Sequence, residues 1–142
     1  MTDRVSSLLN ILFAFAFISA IAWIIAPSAL DYYYQNDQII AIADEFNRSA
    51  SKYSNNDYKL TNAEAGRGKS IIYNYTLVNH NAADVDPYAL KSETKPHLIE
   101  EVKLNSSYNE LRAMDANMVF VYHSNDEIEV ARIEITPTDY SS

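Results

Sequence analysis

The sequence predicts an α+β protein: one N-terminal transmembrane helix, then a long helix packed on a four-stranded antiparallel sheet, with two short helices inserted between strands 2 and 3. Three observations predict it. Leu8–Ala26 is almost wholly apolar, and no charged residue occurs between Arg4 and Asp31. Ile39, Ile42, Ala43, Phe46, Ala50 and Tyr53 recur at three-and-four spacing, which marks a helix with one buried face. Lys69–Asn79, KSIIYNYTLVN, alternates in twos, the period of a half-buried strand.

The first run is long enough to cross a bilayer core of about 30 Å, which takes roughly 20 apolar residues. Its only polar side chains are Asn10 and Ser19. In hydrocarbon a lone segment must pair its own backbone groups, so the span is a helix, with Leu8, Leu12, Phe15, Ala16, Ala20 and Trp23 as its anchor residues. Arg4 and the amino terminus precede it. After it no Lys or Arg appears until Arg48, whereas Asp31, Asp37, Asp44 and Glu45 do. The positive-inside rule then places the N-terminus in the cytoplasm and the remainder outside, in the periplasm if the membrane is a bacterial inner membrane. The rival reading is a cleaved signal peptide, with Ala26-Pro27-Ser28 as the cleavage site. Such peptides carry an apolar core of about 7–15 residues and a basic leader, and here the run is longer and the leader contains Asp3. Residues 1–30 therefore read as tail and anchor, and 31–142 as an extracytoplasmic domain. Tyr32, Tyr33 and Tyr34 fall at headgroup depth, where aromatic belts sit, and form a candidate interface.

Within the domain, the amphipathic helix spans Gln35–Tyr53 and stops at the turn formers Ser54-Asn55-Asn56-Asp57. Tyr58–Asn62 reads as a short strand. In Lys69–Asn79, Ile71, Tyr73, Tyr75 and Leu77 face the core, and Ile72, Asn74, Thr76 and Val78 face away. Asp86-Pro87 opens a helix through Leu90, Leu98, Ile99 and Val102, with Pro96 expected to kink it near Thr94. Ser107-Tyr108-Asn109-Glu110 matches a capping box and starts a second short helix through about Asp115. Asn117–Ser124 and Ile128–Thr136 form a hairpin about Asn125-Asp126-Glu127. The apolar phase of the last strand switches near Val130–Ala131, which predicts a bulge. The residues after Pro137 are expected to be loose.

Composition removes several classes. A net charge of −8 opposes nucleic acid, whose phosphates need a basic face. Only Gly66 and Gly68 occur, too few for phosphate-cradling or dinucleotide-binding loops. There is no cysteine, so no disulfide forms, while tyrosine is enriched at 11 residues. The three N-x-[ST] sequons, at Asn47, Asn74 and Asn105, are what so Asn- and Ser-rich a chain contains by chance.

YNYTLVNH at Tyr73–His80, VDPYAL…KPHLIEE within Val85–Glu101, and VFVYHSNDEIEVARIEITPTD at Val119–Asp139, together with the single anchor, are similar to small bacterial envelope proteins. That resemblance covers most of residues 38–140 and implies an anchored or exported α+β domain of cystatin-like shape. Such proteins often carry one cysteine late in the helix and another near the end of the last strand. Here those places hold Val102 or Lys103, and Tyr140. The resemblance carries no catalytic residue.

No catalytic constellation emerges from the residues either. His80, His97 and His123 are too widely spaced for a local metal motif, although His80 and His123 could approach at strand ends. Glu100-Glu101 and Asp84…Asp86 lack the burial that raises a catalytic carboxyl. No Ser or Thr joins a His and an acid into a triad. No catalytic, cofactor-binding or metal residue is assigned, and no cofactor is expected. The reading is a single-pass, membrane-anchored binding or accessory module, with the lipid bilayer and another membrane or envelope protein as partners. The alternative is an enzyme or small-ligand binder using a pocket between the helix and a curved sheet.

Overall fold

A computed structural model describes residues 35–142. The anchor residues and Tyr32, Tyr33 and Tyr34 lie outside the described residues. Helix α1, over residues 35–48, buries Ile39, Ala43 and Phe46, the stripe that the spacing predicts. Each large apolar side chain so buried contributes about 1.5–3 kcal/mol. The helix is shorter than expected: after Ser49 the chain tightens into a 3-10 turn, Ala50–Tyr53. Ser54 ends that turn by donating its hydroxyl to the Ala50 carbonyl and accepting from the Leu60 amide.

Strands β1 (Tyr58–Ala65), β2 (Ser70–Leu77), β3 (Asn117–His123) and β4 (Glu129–Ile135) form one sheet in that order. The sheet is mixed rather than antiparallel, because β2 and β3 pair in parallel. Parallel neighbours need a crossover, and residues 78–116 supply it with helical structure. This crossover holds α2 (Pro87–Leu104), a 3-10 turn at Ser106–Tyr108 and α3 (Asn109–Ala113). Helix α2 is no short helix, for it runs through Pro96. The proline removes one backbone donor, but it and Ser92 are exposed, so water can serve the freed carbonyl. Asp86 caps α2 as expected, accepting from the amides of Tyr88 and Ala89 at 2.9 and 3.2 Å. The next cap is Asn105 instead of Ser107: its Oδ1 accepts from the Ser107 amide at 2.9 Å. At the far end of α2 the Arg112 guanidinium donates to the Val102 and Asn105 carbonyls, placing a positive charge where the helix dipole is negative.

The phase of β2 is as predicted, with Ile71, Tyr73, Tyr75 and Leu77 all buried in the core. On β4, Tyr122 pairs with Ala131 and His123 with Glu129. Val130 is therefore the extra residue, and both it and Ala131 are buried. A second bulge, at Thr61, explains why β1 reads weakly from sequence: it lets Leu60 and Ala63, three apart, both face the core. The C-terminus is not loose. Pro137–Tyr140 forms α4, Asp139 accepts from the Thr136 amide at 2.8 Å, and the Tyr140 hydroxyl donates to the Ala116 carbonyl at 2.9 Å.

Edge strand β1 is closed by a side chain. Asn47 on α1 donates to the Ala63 carbonyl at 2.8 Å and accepts from the Ala63 amide at 2.7 Å, imitating a neighbouring strand. Asn47→Ala leaves both half-buried groups unpaired and should cost about 1–3 kcal/mol in urea unfolding. A loss within experimental error of zero would mean that water replaces the clamp freely.

Candidate functional site

The packed core fills the space beneath α1, where Tyr73 meets Phe46 and Phe120 with ring centroids 4.9 Å away in each case. Toward the carboxyl ends of β2 and β3 the covering elements part. A groove of about 560 Å³ opens there, walled by the 3-10 turn after α1 (Lys52, Tyr53, Ser54) and by α2 (Glu93, Thr94, His97, Leu98, Glu101). Its floor is aromatic, built from Tyr58, Tyr75, Tyr108, Phe120 and Tyr122. The size suits a small ligand or a short stretch of another chain.

Each floor residue is placed by its strand or turn. The parallel register sets Tyr75 beside Tyr122, and their rings stack at 5.5 Å and 19°. Tyr58, at the start of β1, stands edge-on to Tyr75 at 5.6 Å and 81°. Tyr108 enters from the 3-10 turn that follows α2. Among the described residues only Tyr53 and Tyr140 hand their hydroxyl hydrogens to protein oxygens, those of Ser107 and Ala116. The hydroxyls of the floor are thus unclaimed by the fold.

Burial is the main force on these phenols, and neighbouring tyrosines add to it. It pushes Tyr75, Tyr108 and Tyr122 well above the ordinary 10.0, with Tyr122 and Tyr58 reinforcing the shift at Tyr75 and then Glu101. The floor is therefore neutral at physiological pH. A raised folded pKa contributes stability that is intact below 10.0 and is lost as pH climbs beyond it. A spectrophotometric titration followed alongside circular dichroism should show a set of phenols that ionise only as the sheet unfolds. Complete phenol ionisation with the fold intact would contradict the burial of this floor.

The rim is charged and open. Glu93, His97 and Glu101 follow one another at four-residue spacing along α2, all exposed. Among the described residues neither Glu93 nor Glu101 is in an ion pair; Glu101 accepts only from the neutral Asn105 amide, at 2.6 Å. Lys52 lies on the opposite wall. A second depression of about 770 Å³, between α1 and α3, differs in kind. It is lined by a mixture of apolar side chains such as Ile42 and Met114 and polar ones such as the Glu45–Arg48 pair, 3.0 Å apart, and shares Lys52 and Tyr53 with the groove.

Of the histidines, only His97 reaches the groove. His80 lies in the loop after β2, where its carbonyl accepts from the Asn125 amide at 2.9 Å, so the loops beyond β2 and β3 do meet. Of the acidic pairs, Glu101 reaches the groove rim and Asp86 is a helix cap. Among the described residues no three His, Asp or Glu side chains gather as a metal site would need. The tyrosine floor is not legible in the sequence, because its members come from separate elements between positions 58 and 122. The one available signal was the tyrosine enrichment.

The fold, a four-stranded mixed sheet covered by helices, has counterparts among solved bacterial proteins. No family model matches the chain, and no curated protein matches it by sequence. Among solved structures it is similar to a Pseudomonas aeruginosa protein assigned as secreted, with a TM-score of 0.55 and 13% identity. It is similar also to EpsS, the pilotin of the Vibrio vulnificus type 2 secretion system, with a TM-score of 0.54 and 7% identity. A third is AspS, the type II secretion system pilotin of Vibrio cholerae, at 0.52 and 5%. Each match covers 75% of this chain and 96% of the other. At such identities the likeness is one of fold.

Proposed function

We propose that this chain is an accessory module of a bacterial envelope assembly, tethered to the inner membrane by Leu8–Ala26 and engaging a segment of a larger envelope protein in the tyrosine-floored groove. The observation that carries the reading is the groove itself: a concave aromatic surface with unclaimed hydroxyls at the centre and exposed charge at the rim. That is the anatomy of an interface, in which aromatic anchors hold the centre and polar groups ring it. Fold likeness to two secretion-system pilotins supports an accessory role over a free-standing one. The anchor rests on the uncharged apolar span and its flanks, with the N-terminus cytoplasmic and the domain periplasmic.

Purification of the full chain from its own membranes in mild detergent tests both parts. The chain should resist carbonate extraction with its N-terminus intact and should co-elute with one larger envelope protein. A soluble product beginning near Ala29 would remove the anchor, and a chain recovered alone at every detergent strength would remove the partner.

A further inference from the structure

Resting on that reading, we propose that the groove is built to seat a cationic side chain, an arginine borne on the partner's segment. Tyr58 and Tyr75 meet nearly at right angles, at 81°, and Tyr122 extends the floor by stacking on Tyr75. Tyr58, 38% exposed, offers its ring to a cation in the groove, and Tyr75 and Tyr122, each 7% exposed, back it. Above them stand Glu93 and Glu101, neither of them ion-paired among the described residues.

Alternative occupants fit less well. An anion would meet two carboxylates and the Tyr58 ring, with Lys52 and His97 set against them. A purely apolar segment would strip water from phenol hydroxyls and carboxylates without replacing their hydrogen bonds. A guanidinium meets each demand: it stacks on aromatic rings, forks to a carboxylate, and loses less hydration than an ammonium. The volume of about 560 Å³ exceeds one side chain, so room remains for the residues flanking the arginine. The net charge of −8 would steer a basic segment toward the domain.

The test uses the full chain in detergent, labelled with 3-fluorotyrosine, with resonances assigned by single Tyr→Phe substitutions. Three end-capped pentapeptides are titrated, identical except for arginine, the isosteric but neutral citrulline, or glutamate at the centre. The arginine peptide should shift the Tyr58, Tyr75 and Tyr122 signals at concentrations at least about tenfold below those the citrulline peptide needs, as a desolvated cation–π contact implies. In the Glu93→Gln, Glu101→Gln double variant that preference should shrink toward parity, while the citrulline peptide binds as before. Equal binding of arginine and citrulline peptides, preference for glutamate, or no shift at any millimolar concentration would overturn the proposal. If the chain still co-elutes with its partner in those cases, the accessory role stands and only the cation is wrong. If no partner co-elutes either, the role itself fails.

Discussion

Truncating Tyr73 to alanine is expected to cost the fold about 3–5 kcal/mol, the range for deleting a large aromatic side chain from a packed core. Tyr73 is 0% exposed and its ring touches Phe46, Phe120 and Tyr108, so it ties α1, the sheet and the crossover together. The conservative change should go the other way. The Tyr73 hydroxyl is buried without a hydrogen-bond partner, and burial holds it well above the usual phenol range. Tyr73→Phe removes a polar group whose desolvation nothing repays, so stability should stay level or rise by up to about 1 kcal/mol. Urea unfolding of both variants decides it. A phenylalanine variant that loses about 1 kcal/mol or more would mean that the hydroxyl has a partner after all.

That contrast also shows where sequence reasoning succeeds. The alternation in Lys69–Asn79 predicts the burial of Tyr73 because a strand's side-chain period leaves two choices of face, and only one is apolar throughout. The same logic locates the bulge at Val130, since an extra residue is the cheapest way to keep Val130 and Ala131 both buried. Strand direction is not encoded in that period. Whether β2 and β3 run parallel depends on how the long crossover through α2 packs back. Tyr140 reads as part of a loose end because its partner, the Ala116 carbonyl, lies on the far side of a hairpin. The aromatic floor of the groove is hidden for the same reason. Tyr58, Tyr75, Tyr108 and Tyr122 share no local spacing and meet only through sheet register and the turn after α2.

The largest functional effect is expected at Tyr58. It is 38% exposed and packs edge-on against Tyr75, so Tyr58→Ala should cost about 1–2 kcal/mol, well short of Tyr73→Ala. Yet it forms one wall of the aromatic floor, and a central aromatic anchor of an interface is worth about 2 kcal/mol or more. Partner affinity measured on the detergent-purified proteins should therefore fall by about 30-fold or more. Asn74→Ala, on the open face of the sheet, should leave affinity unchanged. Equal losses from the two substitutions would place the contact elsewhere on the domain.

The central claim is that the groove is where the partner sits, and a photo-reactive amino acid at position 97, on its rim, tests it most directly. Irradiated in intact cells, the full chain should form one discrete adduct with a larger envelope protein, and Tyr58→Ala should abolish it. A probe at position 134, on the opposite face of the sheet, should give none. An adduct from position 134 with none from position 97 would contradict the account.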